Sequence, residues 1–166
     1  GALPALIQAA EKGVNEMIVY AISKLCCVKP SNFEVIRATL PLLRRLLDSQ
    51  NEEIVKYSCI SFSHIAERMR HFIYAILDVR LNIIPRLIEL LVGSTSPSIL
   101  KEAITVLGNI ACGGNRQTQS VLVALPSLLW LLDHPDLEIR KQVCWALSNI
   151  TAGTTEQKQA VIDAAI

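Results

Sequence analysis

Four segments of the chain repeat one arrangement of apolar and polar positions: "NEMIVYAISKLC" from Asn15, "NEEIVKYSCISFSHIA" from Asn51, "SPSILKEAITVLGNIA" from Ser96 and "DLEIRKQVCWALSNIT" from Asp136. Their shared isoleucines, Ile18, Ile54, Ile99 and Ile139, are spaced 36, 45 and 40 residues apart. Three positions before each isoleucine stands Asn15, Asn51, Ser96 or Asp136. Each of these side chains has an oxygen that can accept the free N–H groups of a first helical turn, so the pattern predicts a helix start at all four. Pro97 follows Ser96, at a position where its missing N–H costs nothing.

About fourteen residues upstream of each isoleucine lies a second element: "LPALIQAA" at Leu3, "LPLLRRLL" at Leu40, "IPRLIELL" at Ile84 and "LPSLLWLL" at Leu125. Proline in the opening turn and apolar residues on nearly every face predict a short helix covered by its neighbours. A third, shorter helix is expected before each later copy, in "SNFEVIRAT" from Ser31, "HFIYAILDV" from His71 and "RQTQSVLVA" from Arg116. Ser31 with Glu34, and Thr154 with Gln157, have the spacing of a capping box. Gly113, Gly114 and Gly153 should end two of the long helices, whereas "IAERMRHF" has no such stop and should run on more continuously.

A unit of three helices recurring about every 40 residues has the armadillo/HEAT period, so the expected fold is an all-α, right-handed armadillo-repeat superhelical solenoid of about four repeats. The expected divisions are 1–29, 30–68, 69–113, 114–153 and the start of a further repeat at 154–166. Such a unit buries its apolar faces only against neighbours, and no polar caps are evident at either end. The sequence therefore reads as a piece of a longer array, and self-association through its ends is expected.

Composition narrows the function. The most apolar stretch, Leu81 to Val92, is broken by Asn82, Pro85, Arg86 and Glu89, short of the ~18 uninterrupted apolar residues of a membrane helix. The start "GALPALIQAAEKG" lacks the basic segment of a signal peptide. Charge is balanced, with 16 Lys+Arg against 15 Asp+Glu, which argues against nucleic acid as partner. Five cysteines with no C-x-x-C spacing suit neither a disulfide framework nor a zinc site, and no metal or cofactor is expected. His64, His71 and His134 fall in separate repeats, no cysteine sits in a nucleophile motif, and catalysis is not expected.

The candidate chemistry lies on the long third helices, which line the inner surface of a solenoid of this type. Trp145 and Asn149 are four residues apart and share one helical face. An indole offers a flat wall with affinity for cations, and an asparagine amide can donate to and accept from the main chain of an extended peptide. Equally, Trp145 could fill space between third helices while Asn149 bridges a loop. Trp130, in the apolar middle helix, is expected to be core or wall packing.

"VCWALSNITAGTTEQKQAVIDAAI" resembles the repeats of importin α (karyopherin α), in which a tryptophan, an asparagine four residues later and "Q-x-Q-A-V-I-D-A" recur. "AITVLGNIACGGNRQTQSVL" is similar to the family's repeat that keeps the asparagine without the tryptophan. This succession resembles the sixth and seventh repeats of the family, which form its minor groove for nuclear localisation signals. The resemblance implies an adaptor of cytoplasm and nucleus that binds lysine- and arginine-rich signals in extended form. Trp145 would stack on aliphatic parts of basic side chains, and Asn149 and Asn109 would hold the peptide backbone. Importin β would be engaged only through a basic amino-terminal segment that is absent here.

Departures from the family limit the groove. Thr105 stands where the family often carries arginine, and Gln142 where a carboxylate is common, so both are groove residues of altered charge. In the second copy the corresponding positions are Ile60 and His64. In the first they read Tyr20 and Lys24 from the local motif, or Lys24 and Val28 from strict spacing. Lys24 would repel a basic peptide. The alternative is a divergent armadillo scaffold that binds another protein and has no role in nuclear import.

Overall fold

A computed structural model describes residues 1–28 and 33–166, and the described residues are organised by α-helices and short 3-10 turns. Ser31, the expected capping partner of Glu34, lies outside the described residues. The chain divides into two units, Gly1–Leu81 and Asn82–Ile166.

In the first unit the helices are α1 (Ala2–Lys12), α2 (Glu16–Cys27), α3 (Phe33–Leu46), α4 (Glu52–Arg68) and α5 (Ile73–Ile76). The two long third-position helices, α2 and α4, pack side by side. The core is drawn from Val19, Ile22 and Cys26 of α2, Ile36, Leu40 and Leu43 of α3, and Cys59, Phe62 and Ile65 of α4, all of them buried. The second unit comprises α6 (Ile83–Gly93), α7 (Pro97–Ala111), α8 (Asn115–Val121), α9 (Leu125–Trp130), α10 (Leu137–Thr151) and α11 (Thr155–Ala164). Here α7 and α10 form the principal pair, with α6 and α9 packed against each other.

Three of the four expected caps form. Asn15 accepts the N–H of Ile18 at 2.9 Å, Asn51 that of Glu53 at 2.9 Å, and Asp136 that of Glu138 at 2.8 Å. Ser96 does begin α7, yet it caps no helical N–H; its hydroxyl pairs with that of Ser98 at 3.1 Å. With Pro97 next to it, that helix starts on proline's fixed φ rather than on a side-chain acceptor. The Thr154–Gln157 capping box is complete. Gln157 is buried and also donates to the carbonyl of Asn115 at 2.7 Å, tying α11 back to α8.

The three-helix unit varies between copies. In the second copy the short and middle helices are one, because α3 runs unbroken through Pro41. The stretch "FEVIRATLP" contains no glycine or asparagine to interrupt it, and the Thr39 hydroxyl donates back to the Val35 carbonyl within the same helix. In the third copy the longer 45-residue spacing is taken up by the turn after α5. There Asp78 accepts the Arg80 N–H at 2.9 Å, and Asn82 adopts a left-handed conformation with φ 48°. After α4 only Met69 interrupts the helix before a 3-10 turn at Arg70–Phe72, so the chain runs on nearly continuously as its sequence indicates. Glycine does follow α7 and α10, with Gly113 N–H donating to Ile110 and Gly153 N–H to Ile150.

Candidate functional site

The third-position helices carry the candidate residues, and the neighbouring helix decides what each can do. In the second unit Trp145 of α10 leans on Gly108 in the last turn of α7, and a side chain at Gly108 would collide with the ring. One helical turn on, the Asn149 amide Nδ2 donates to the carbonyl of Gly108 at 3.3 Å. Both members of the pair are therefore fixed to one backbone site on the preceding long helix. Trp145 keeps 37% of its surface exposed, which makes it a wall held from behind rather than a core residue. The Asn149 oxygen makes no hydrogen bond among the described residues and can accept a ligand's N–H.

At the other end of this surface Gln142 donates to the Thr105 hydroxyl at 2.8 Å, and that hydroxyl donates to the Lys101 carbonyl at 2.7 Å. Thr105, Gln142, Trp145 and Asn149 are thus brought together across α7 and α10. Asn109 is different: it lies beside Gly108 on α7, but it is buried and has a polar interaction of its own, so its amide is largely withdrawn from solvent.

The first unit repeats the geometry with other residues. His64 Nδ1 donates to the carbonyl of Ser23 at 3.2 Å, and donor and acceptor are 41 residues apart, as they are for Asn149 and Gly108. His64 therefore occupies the Asn149 position, and Ser23 that of Gly108. This places Lys24 opposite Asn109 and Tyr20 opposite Thr105, and so selects the Tyr20/Lys24 register over Lys24/Val28. Tyr20 meets Tyr57 of α4 edge to face, with ring centroids 5.1 Å apart, and the Lys24 ammonium stands 5.1 Å from the Tyr20 ring centre. Lys56 lies 4.6 Å over Tyr57 and pairs with Glu53, whose carboxyl its ammonium holds below the ordinary value. Ile60 is half-buried and polar contacts pass it by. Lys24 has no ion pair among the described residues.

Sequence reasoning missed Gly108, Ser23 and Tyr57. Gly108 was readable: a glycine within a strongly helical pattern, ahead of its Gly113–Gly114 stop, costs about 1 kcal/mol against alanine and marks a close approach. Trp130 is corrected outright. It is 65% exposed at the end of α9, neither core nor wall. Among the described residues no group of three or more His, Cys, Asp or Glu could hold a metal ion, and no helix is long and apolar enough to cross a membrane.

Comparison with known proteins identifies the repeat. The family model described as "Armadillo/beta-catenin-like repeat" matches residues 79–112 and 114–152. Importin subunit alpha-1a of Oryza sativa subsp. japonica is 39% identical over 171 residues, which cover 99% of this chain and 32% of that protein. Importin subunit alpha-3 of Arabidopsis thaliana is 42% identical over 130 residues, covering 76% of this chain and 24% of that protein. The chain thus spans about a third or less of these relatives. Among solved structures, a designed armadillo repeat protein in complex with peptide (KR)4 superposes with a TM-score of 0.85 at 28% identity, covering 99% of this chain and 70% of that one.

Proposed function

The chain belongs to the armadillo-repeat family, and from that premise we propose that it is the peptide-gripping part of an importin-α-like adaptor, taking basic nuclear localisation signals in extended form. One observation carries the reading: Trp145 and Asn149 are both anchored on Gly108, which leaves the indole face and the amide oxygen of Asn149 as the exposed, pre-positioned groups. A wall for the aliphatic part of a lysine or arginine and an acceptor for a peptide N–H are what an extended basic segment needs. The similarity to importin α subunits and to an armadillo protein complexed with alternating lysine and arginine supports the same partner class. Such an adaptor works in cytoplasm and nucleus. The wall is concentrated on α10, so the grip of this chain alone should be weak.

A second reading is favoured by a specific observation in the first unit. There the tryptophan–asparagine pair is replaced by Ile60 and His64, and unpaired Lys24 stands on the same surface. A partner other than a basic signal would suit that surface, with no role in nuclear import. The test is a titration of a labelled bipartite basic peptide and its alanine-substituted control onto the chain and onto Trp145→Ala/Asn149→Ala, with circular dichroism to confirm folding. Loss of at least about tenfold in affinity for the basic peptide is expected in the double variant. Equal affinity of the two chains sinks the groove assignment, and binding indifferent to salt favours the second reading.

A further inference from the structure

Trp130 poses the question. In each copy an apolar residue precedes the proline of the middle element, Leu3, Leu40, Ile84 or Leu125, and five residues after that apolar residue the chain reads Gln8, Arg45, Glu89 and Trp130. The first three of these are polar or charged and exposed. Glu89 is exposed although α9 packs against its helix, so this register faces water even where the next copy is in place. Trp130 therefore sets a large aromatic surface at a position the fold reserves for solvated side chains, 65% exposed. At that exposure the ring adds little to the core, and an exposed indole is the kind of side chain that anchors recognition when a polar partner stands beside it.

Its surroundings specify the ligand. Trp130 shares a cavity of about 140 Å³ with Leu131, Asp133, His134 and Pro135, large enough for the end of one side chain. Asp133 is exposed and makes no hydrogen bond or ion pair among the described residues. The nearby cation does not neutralise it, because Arg140 is committed to the turn, donating to the carbonyls of His134 at 2.7 Å and Pro135 at 3.0 Å. His134 Nδ1 accepts the Asp136 N–H at 3.0 Å, which fixes the same turn from inside. The result is an indole face and an unpaired carboxylate on a rigid rim.

We propose that Trp130 and Asp133 form a docking site for an arginine side chain of a partner protein, distinct from the surface of α7 and α10. A guanidinium can stack flat on the indole and present a two-pronged donor edge to the carboxylate, whereas an ammonium gains only point attraction. The site is independent of the basic-signal reading and stands if that reading fails.

The sequence has two tryptophans, so Trp145→Phe leaves Trp130 as the sole indole emitter while keeping an aromatic ring near Gly108. Onto this variant we would titrate the acetylated, amidated peptide Gly-Arg-Gly-Arg-Gly and the same peptide with citrulline, the uncharged isostere, at both arginine positions. A saturable change in Trp130 emission is expected with the arginine peptide. Affinity read from Trp130 emission should fall roughly tenfold with the citrulline peptide and in Asp133→Asn. Trp130→Gln, which installs the uncharged side chain of position 8, should keep the thermal midpoint and lower the affinity for a fluorescently labelled arginine peptide roughly tenfold, leaving only what the α7 and α10 surface binds. No saturable change, or equal responses to arginine and citrulline peptides, would overturn the proposal, the latter in favour of a purely apolar partner.

Discussion

The Trp145 ring lies so close to the backbone of Gly108 that a Cβ at position 108 would stand 2.8 Å from Cη2 and 2.9 Å from Cε3. A glycine-to-alanine change inside a helix ordinarily stabilises by about 0.5–1 kcal/mol. Here the added methyl meets a ring that cannot retreat without losing its seat, and overpacking of this kind costs about 1–3 kcal/mol. Gly108→Ala should therefore lower the thermal midpoint and weaken peptide binding together. An unchanged or raised midpoint would show that Trp145 moves aside freely and is no fixed wall.

His64 and Asn149 play one structural part with different chemistry. Removing the hydrogen bond to Ser23 with His64→Ala should cost about 0.5–1.5 kcal/mol in denaturant unfolding. His64→Asn should recover most of that loss, since the amide can reach the same carbonyl. A loss in His64→Asn as large as in His64→Ala would mean that ring packing, not the bond to α2, holds this position.

The helix starts make a sharper pair. Asp136→Ala removes a side chain that accepts the Glu138 N–H, and should cost about 1 kcal/mol. Ser96→Ala removes no such bond, so its cost should be only a few tenths of that. Chemical denaturation of the two variants side by side is the measurement; equal losses would contradict the geometry at Ser96.

Burial separates the five thiols. Cys144 is exposed, Cys27 and Cys112 are half-buried, and Cys26 and Cys59 are buried. Burial pushes the Cys26 thiol up to about 12 from an ordinary value near 9.0. Alkylation followed by mass spectrometry should modify Cys144 first, with Cys26 and Cys59 reacting only on unfolding. For pH the sign is determined by proton uptake: between about 9 and 12 the folded protein keeps the Cys26 proton that the unfolded chain releases, so stability falls as pH rises through that range. Cys26→Ala lacks this dependence, and its stability deficit relative to the parent should narrow from pH 9 to pH 11. A deficit that stays constant would place Cys26 in contact with solvent.

The helix starts at Asn15, Asn51 and Asp136 were legible because a cap is a local matter, settled by one side chain and the N–H groups two or three residues on. The continuity of α3 was not, since proline in a first turn and proline within a longer helix look alike when only the downstream half is read. Trp130 was misjudged because an apolar neighbourhood suggested burial, while the register shared with Arg45 and Glu89 pointed outward. On the candidate site, the i, i+4 spacing of Trp145 and Asn149 was readable. Their common seat was not, because Gly108 stands 37 and 41 positions before them in the sequence.

The bonds from Asn149 and His64 both end on a main-chain carbonyl, of Gly108 in one unit and Ser23 in the other. A carbonyl is supplied by every amino acid, so the residue that accepts can change without unfastening its neighbour, and the donor need only keep one N–H in reach. Replacement at these positions can therefore redraw what the surface attracts, from indole and amide to tyrosine, lysine and imidazole, while the interval between successive long helices stays the same. Within each unit, selection for a new partner is uncoupled from selection for the stack.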